Sequence, residues 1–219
     1  MSGPSRRPLV SVLSLGGTIA MAAGGPRGVS PSLGGDDLVA SVPGLGELAE
    51  VRARSLSQLP GAHLDLSDVV ALAGEVGRAI DDGSAGVVVT QGTDTLEETA
   101  FLLDLLVRMR QPVVVTGAMR NPTLAGADGP ANLLAAVAVA TAATTRDLGV
   151  LVVLNDEIHA ARFVQKRHTT SPGAFRSFPG PLGWLCEGRP RVVVRPEGRP
   201  PARRVLLGAS QRVGLLTVT

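Results

Sequence analysis

Three short apolar runs constrain this chain more than anything else in it: GVVVTQG (86–92), PVVVTGA (112–118) and GVLVVLN (149–155). Each is apolar at consecutive rather than alternate positions, and each ends in small or polar residues. A strand with one wet face alternates. A strand that is apolar throughout is buried on both faces, and such strands belong to parallel sheets covered by helices. PLVSVLSL (8–15), which ends in Gly16-Gly17, reads as another strand of this kind, and VRARSL (51–56) as a weaker one that ends near Pro60-Gly61. Helical periodicity fills the intervals 67–82, 94–110 and 128–145. The last opens Asp-Gly-Pro, with Pro where a first helical turn accepts it. The alternation predicts an α/β fold: an open, mostly parallel sheet of Rossmann/flavodoxin type, with helices on both faces and right-handed crossovers.

Composition narrows the partners. Hydrophobic residues make up 44% and aromatic residues only 2%, so the core is built from Val, Leu and Ala. A net charge of +2 makes no case for nucleic acid. The one cysteine, Cys186, excludes an internal disulfide and any site with several thiolates. The apolar run after Arg6-Arg7 is cut at Gly16-Gly17, so it reads as a buried strand and not as a leader. No run of 18 or more apolar residues is present, and the expectation is a cytoplasmic protein with no membrane partner.

The texture changes after Ser171. PLGWLCEGRPRVVV predicts a β-hairpin with Trp184 and Cys186 on its first strand, and 189–204, rich in Pro, Gly and Arg, reads as an exposed linker. RVGLLTVT (212–219) begins a new apolar strand. The expected organisation is a first domain over 1–187, a linker over 188–211, and at 212–219 the first strand of a second α/β domain that the chain does not complete.

In an open parallel sheet, ligands sit beyond the carboxyl ends of the strands. That edge collects Gly16-Gly17-Thr18, Gln91-Gly92-Thr93-Asp94, Gly117-Ala118 and Asn155-Asp156, with Lys166 a short loop later. Lys166 is the one lysine among 21 Lys plus Arg. Each residue has a structural reading too. Gly16-Gly17 makes a tight turn, Thr18 caps the next segment, and Asp94 with Glu97 three residues on fits a reciprocal helix cap. Together they form a set that chemistry can use. A Thr hydroxyl attacks only when a base takes its proton. His63, His159 and His168 lie away from these strand ends and lack metal-ligand spacing, which leaves Lys166 as the base. A lysine amine accepts a proton only when neutral, a form that burial favours and a nearby carboxylate opposes. Arginine stays charged in proteins. Backbone N–H groups beside Gly17 and Gly92 suit a developing oxyanion. The reaction class these residues suggest is acyl transfer through a hydroxyl, most simply amide hydrolysis.

At these residues the sequence resembles the bacterial L-asparaginase/glutaminase family. VSVLSLGGTIA (10–20) resembles its first signature and VVVTQGTDTLEETAFLLDL (87–105) its second. VVVTGAMR (113–120), ADGPANLLAA (127–136), NDEIHAARFVQKRHTTSPGAFRS (155–177) and GPLGWL come after these in family order. The resemblance implies that Thr18 attacks the side-chain amide carbon, ammonia leaves, and water clears the acyl-enzyme. It implies a second triad of Thr93, Asp94 and Lys166, with Asp94 also holding the substrate's α-amino group. It further implies substrate contacts from Gly61, Ala62, Gly92, Thr93 and Asp94, with Ala118 near the leaving amide. No cofactor and no metal are expected. The implied substrate is L-asparagine, with L-glutamine as a second candidate, and the implied full-length assembly is a homodimer or homotetramer.

The sequence departs from the family pattern in several places. It has no tyrosine, so the usual partner of the nucleophile on a mobile lid is missing, and AAGGPRGVSPSLGG (22–35) stands where that lid would be. The family's Ser-Gln pair aligns best with Gly61-Ala62, although Ser57-Gln58 lie just upstream, and the usual His before Gly-Thr-Asp is Gln91. Two other readings stand beside the asparaginase: a truncated paralogue without turnover, and an amidase component of tRNA-dependent amidation.

Overall fold

The computed structural model describes residues 7–17, 21–23, 29–31 and 35–198. The first strand, β1 (Leu9–Ser14), is followed by a two-stranded ribbon, β2 (Met21–Ala23) and β3 (Val29–Pro31). Two short helices, α1 (Gly35–Ala40) and α2 (Leu45–Leu48), lead to β4 (Glu50–Ser55). Then come α3 (Leu66–Asp81), β5 (Gly86–Thr90), α4 (Leu96–Leu106), β6 (Val113–Thr116), α5 (Gly129–Thr141) and β7 (Val150–Leu154). The remainder is β8 (Glu157–Ala160), β9 (Val164–Lys166), β10 (Phe175–Ser177), β11 (Gly183–Cys186) and β12 (Arg189–Val192).

The main sheet runs β12-β11-β8-β7-β6-β5-β1-β4. Its five strands from β4 to β7 are parallel, and β8, β11 and β12 add an antiparallel wing. The apolar runs lie where their composition places them: β5, β6 and β7 are buried at every residue. β4, with Glu50, Arg52 and Arg54, is the exposed edge, and charge there discourages pairing with another chain. α3 begins at a capping box, in which Asp65 accepts from the N–H groups of Ser67 and Asp68 while Asp68 accepts from that of Asp65.

Helices cover both faces. Val88 and Val114 face a cluster with α2 and α5, while Val87, Val89, Val113 and Val115 face one with α3 and α4. This arrangement corrects one expectation. The connections β1 to β4, β4 to β5 and β5 to β6 share one hand. From β6 to β7 the chain moves across the sheet in the same direction as from β5 to β6, but α5 lies on the opposite face. β6–α5–β7 is therefore the left-handed exception to the right-handed rule. Nothing in the periodicity of α5 marks a face, because its Ala and Val residues are buried nearly all round.

α3 keeps the length its periodicity suggests, while α4 and α5 are shorter. The chain enters α4 through a 3-10 turn at Thr93–Thr95, and 107–110 is already extended or irregular. α5 ends at Thr141 before a second such turn. The hairpin with Trp184 and Cys186 on its first strand is present within the 181–194 stretch expected for it, and its second strand overlaps the expected linker. Arg189–Val192, expected to open the linker, is instead β12. The backbone then stays tied down, with the Val193 and Val194 N–H groups donating to Leu182 O. The remainder of the expected linker from 199 and the strand expected at 212–219 lie outside the described residues. No helix among the described residues is long and apolar enough to cross a membrane.

Candidate active site

Counted in chain order, the parallel strands lie in the order 2-1-3-4-5, so the strand order reverses between β1 and β5. Ligands of open α/β sheets bind in the crevice at that reversal. Here the crevice is flanked by Gly16-Gly17 after β1 and Gln91-Gly92-Thr93-Asp94 after β5.

Backbone packs on backbone there. Gly17 has φ 83°, and a Cβ on it would lie 2.1 Å from Gly92 N, so no other residue fits. A Cβ on Gly92 would lie 2.8 Å from Gly61 N, and one on Gly117 would lie 2.6 Å from Gln91 O and 3.1 Å from the Thr93 methyl. Four strand-end loops are thus pressed around Thr93. Thr95, at the N-cap position of α4, makes no side-chain cap. Its Oγ1 donates to Gly61 O at 2.8 Å and docks the 61–63 turn.

Lys166 reaches this edge from the end of β9. Its Nζ donates to Thr93 Oγ1 at 2.9 Å and to Asp94 Oδ1 at 2.7 Å. Thr93 is 7% exposed, and the Lys166 side chain is 15% exposed. The Asp94 side chain is 72% exposed, so one end of this triad is dry and the other opens to solvent. Lys166 Nζ thus bridges a buried hydroxyl and an exposed carboxylate and donates to both. The cap expected from Asp94 and Glu97 does not form: Asp94 is spent on Lys166 Nζ, and the Glu97 carboxylate accepts the Lys166 backbone N–H. Lys166 is therefore held at both its main chain and its tip.

Of the other expected site residues, Gly61 and Gly92 are buried in this packing, Ala62 is exposed beside it, and Ala118 is 1% exposed at the end of β6. Thr18 lies outside the described residues, as does most of the loop expected as a lid. Ser57, the upstream alternative to Gly61-Ala62, is committed elsewhere, its hydroxyl donating to Leu15 O at 3.0 Å. Gln91 is wholly buried, with Nε2 donating to Gly92 O at 3.3 Å. His168 is exposed and accepts the N–H groups of Thr170 and Ser171.

His159 is wholly buried beneath the β9–β10 ribbon, with Nδ1 2.9 Å from Ser177 Oγ. Its Nε2 lies 3.3 Å from Glu157 Oε2 without hydrogen-bond geometry, and Arg176 shares that carboxylate. Burial, and then the Arg176 charge, push its pKa down to about 4. Sequence reasoning missed Glu97 as a support for Lys166 and His159 as a latch under the ribbon. Only the tertiary pairing brings either to its partner.

The comparisons with known proteins agree with this geometry. The family model described as "Asparaginase, N-terminal" matches residues 9–197. Over 185 residues the chain is 40% identical to the glutaminase-asparaginase of Pseudomonas fluorescens biotype A, covering 82% of this chain and 51% of that protein. Over 175 residues it is 39% identical to L-asparaginase 2 of Bacillus subtilis (strain 168), covering 78% and 47%. The crystal structure of a probable cytoplasmic L-asparaginase from Campylobacter jejuni superposes with a TM-score of 0.80 at 34% identity, covering 86% of this chain and 58% of that one. The chain spans about half the length of the curated relatives it matches. With a family match over most of its length and a fold shared with a solved relative, the chain belongs to the asparaginase family, matching its N-terminal domain.

Proposed function

We propose that this chain is the catalytic part of an L-asparaginase, which hydrolyses the side-chain amide of L-asparagine to L-aspartate and ammonia. The observation that carries the reading is Lys166 Nζ held between Thr93 Oγ1 and Asp94 Oδ1 at the strand-order reversal, where Gly92, the residue before Thr93, packs on Gly17. Thr18, the residue after Gly17, is the nucleophile. Its Oγ bonds to the amide carbon as its proton is taken up, the C–N bond breaks, and the nitrogen leaves protonated as ammonia. Thr93 and Lys166 then move the proton of the water that opens the acyl ester, which returns a proton to Thr18. Asp94 pairs with the substrate's α-ammonium group through its exposed carboxylate. Gly61, Ala62 and Gly92 offer backbone groups to the α-carboxylate, and Ala118 faces the leaving amide.

The reading needs no cofactor. It extends to a cytoplasmic homodimer or homotetramer in the full-length protein, with a second α/β domain beginning at 212–219. L-Glutamine is a second substrate candidate, motivated by the likeness to a protein named glutaminase-asparaginase. Ammonia release from the two amides by the purified chain tests the assignment, with faster release from asparagine expected. Release from neither, by this chain or by one extended through a second domain, would favour the paralogue without turnover. A rate that appears only with aminoacyl-tRNA would favour tRNA-dependent amidation.

A further inference from the structure

We propose that Asp128 and Asn132, on the first turn of α5, are positioning residues that clamp the Gly117–Arg120 loop so that Ala118 is presented to the leaving amide. The inference rests on the amidohydrolase reading above. Asp128 occupies the N-cap position, where an aspartate ordinarily accepts N–H groups of its own helix. It makes no such bond. Its Oδ2 accepts the Met119 N–H at 3.0 Å and its Oδ1 the Arg120 N–H at 2.9 Å. Asn132 lies one turn on and is 3% exposed. Its Nδ2 donates to Gly117 O at 2.9 Å and to Asp128 Oδ2 at 3.1 Å, and its Oδ1 accepts the Asn155 N–H at 3.0 Å.

Two side chains thus hold main-chain groups on both sides of Ala118, and Asn132 also fixes the β7–β8 turn, where Asn155 and Asp156 have φ 50° and 60°. Ala118 is left between the clamped atoms. It is buried, and among the described residues its own peptide N–H and C=O bond to nothing. A loop held on both sides of an unpaired, buried peptide is rigid where a ligand atom would meet it.

The near-isosteric Asn132→Leu removes the donor and the acceptor together, while Asp128→Asn leaves one oxygen for two N–H groups at a less buried position. In ammonia release from asparagine, each is expected to lower kcat about 10-fold to 100-fold, the scale of a small misplacement. KM should change less, since Asp94 and Gly61 are untouched. The double variant should lose no more than the worse single, because the two act as one clamp. Variants that melt earlier but keep kcat within about twofold, or losses that multiply in the double variant, would overturn the positioning role. Amide hydrogen exchange provides a readout independent of turnover. Asp128→Asn should speed exchange at Met119 or Arg120 and Asn132→Leu at Asn155, while 86–90 stays protected, and unchanged exchange in both would overturn the clamp itself. No ammonia release by the wild-type chain or by one extended through a second domain would sink the amidohydrolase reading and with it the link to the leaving group, while the exchange result still decides whether the clamp exists.

Discussion

The first turns of α4 and α5 follow neighbouring strands, open onto the same sheet edge, and do opposite things. Around the start of α4, Thr93, Asp94 and Glu97 direct their polar atoms at Lys166. On the start of α5, Asp128 and Asn132 direct theirs at main-chain groups of the loops beside it. Both turns give up ordinary side-chain capping, since neither Thr95 nor Asp128 caps its own helix. An uncapped helix start forgoes about 1 kcal/mol of stabilisation. At this edge the forgone bonds are redirected to neighbouring loops, that of Thr95 to Gly61 O and those of Asp128 to the Met119 and Arg120 N–H groups. An acidic or hydroxyl residue before a helix is thus ambiguous in sequence, and its role is decided by whatever the fold sets opposite.

That contrast can be broken, and the largest effect is expected at the turn that holds Lys166. Thr93→Val keeps shape and burial but removes the hydroxyl that Lys166 Nζ contacts. Its rate of ammonia release should fall on the order of 10²–10⁴-fold, the usual worth of a positioned acid–base group, with an unaltered melting temperature. A rate near wild type would make Thr93 part of the frame. In the body of α4 the expectation reverses. Leu103 is wholly buried against the sheet, so Leu103→Ala should cost about 2–5 kcal/mol in urea unfolding while folded molecules keep their rate. A large loss of rate per folded molecule would show that the body and the first turn of α4 are not separable.

His159 supplies a pH-dependent term remote from both turns. Its native pKa is about 4 against an unfolded value near 6.5. Above about pH 6.5 both states are neutral and this contribution is fully present. Between 6.5 and 4 the unfolded state binds the proton first, so up to about 3 kcal/mol of stability is lost as pH falls, and below 4 the loss levels off. Denaturant titrations across that range should show this slope, and His159→Gln should flatten it. An unchanged slope in the variant would move the effect to other groups.

The smallest effect is expected at Glu97, which supports Lys166 from behind. Glu97→Ala should reduce ammonia release about 10-fold to 100-fold, and Glu97→Gln, which keeps an acceptor for the Lys166 N–H, should recover most of it. A glutamine no better than alanine would mean that the carboxylate's charge matters and not its hydrogen bond.

Much of this architecture was legible from local pattern. Runs buried on both faces produced the parallel strands, and the residues that end them produced the edge where Thr93, Asp94 and Lys166 meet. What the pattern missed was non-local. α5 is apolar all round, so nothing in its periodicity says which face it covers, and the left-handed crossover stayed hidden. Asp128 before Gly-Pro looks like a cap, and Asp94 with Glu97 looks like a capping pair. Their true partners are 8 residues away for Arg120 and 72 and 69 residues away for Lys166. His159 is buried with both its neighbours on β8, and only the β9–β10 ribbon laid over it explains why it is neutral and dry.

The central claim is that Lys166 takes part in amide hydrolysis through a proton that arginine would not release. The direct test compares ammonia release from L-asparagine by the wild-type chain and by Lys166→Arg, with circular dichroism and thermal melting on both. The account predicts a wild-type rate, no measurable rate in the variant, and matching melts. A variant that keeps the wild-type rate would contradict it, as would silence of wild type and variant alike both as this chain and when extended through a second domain.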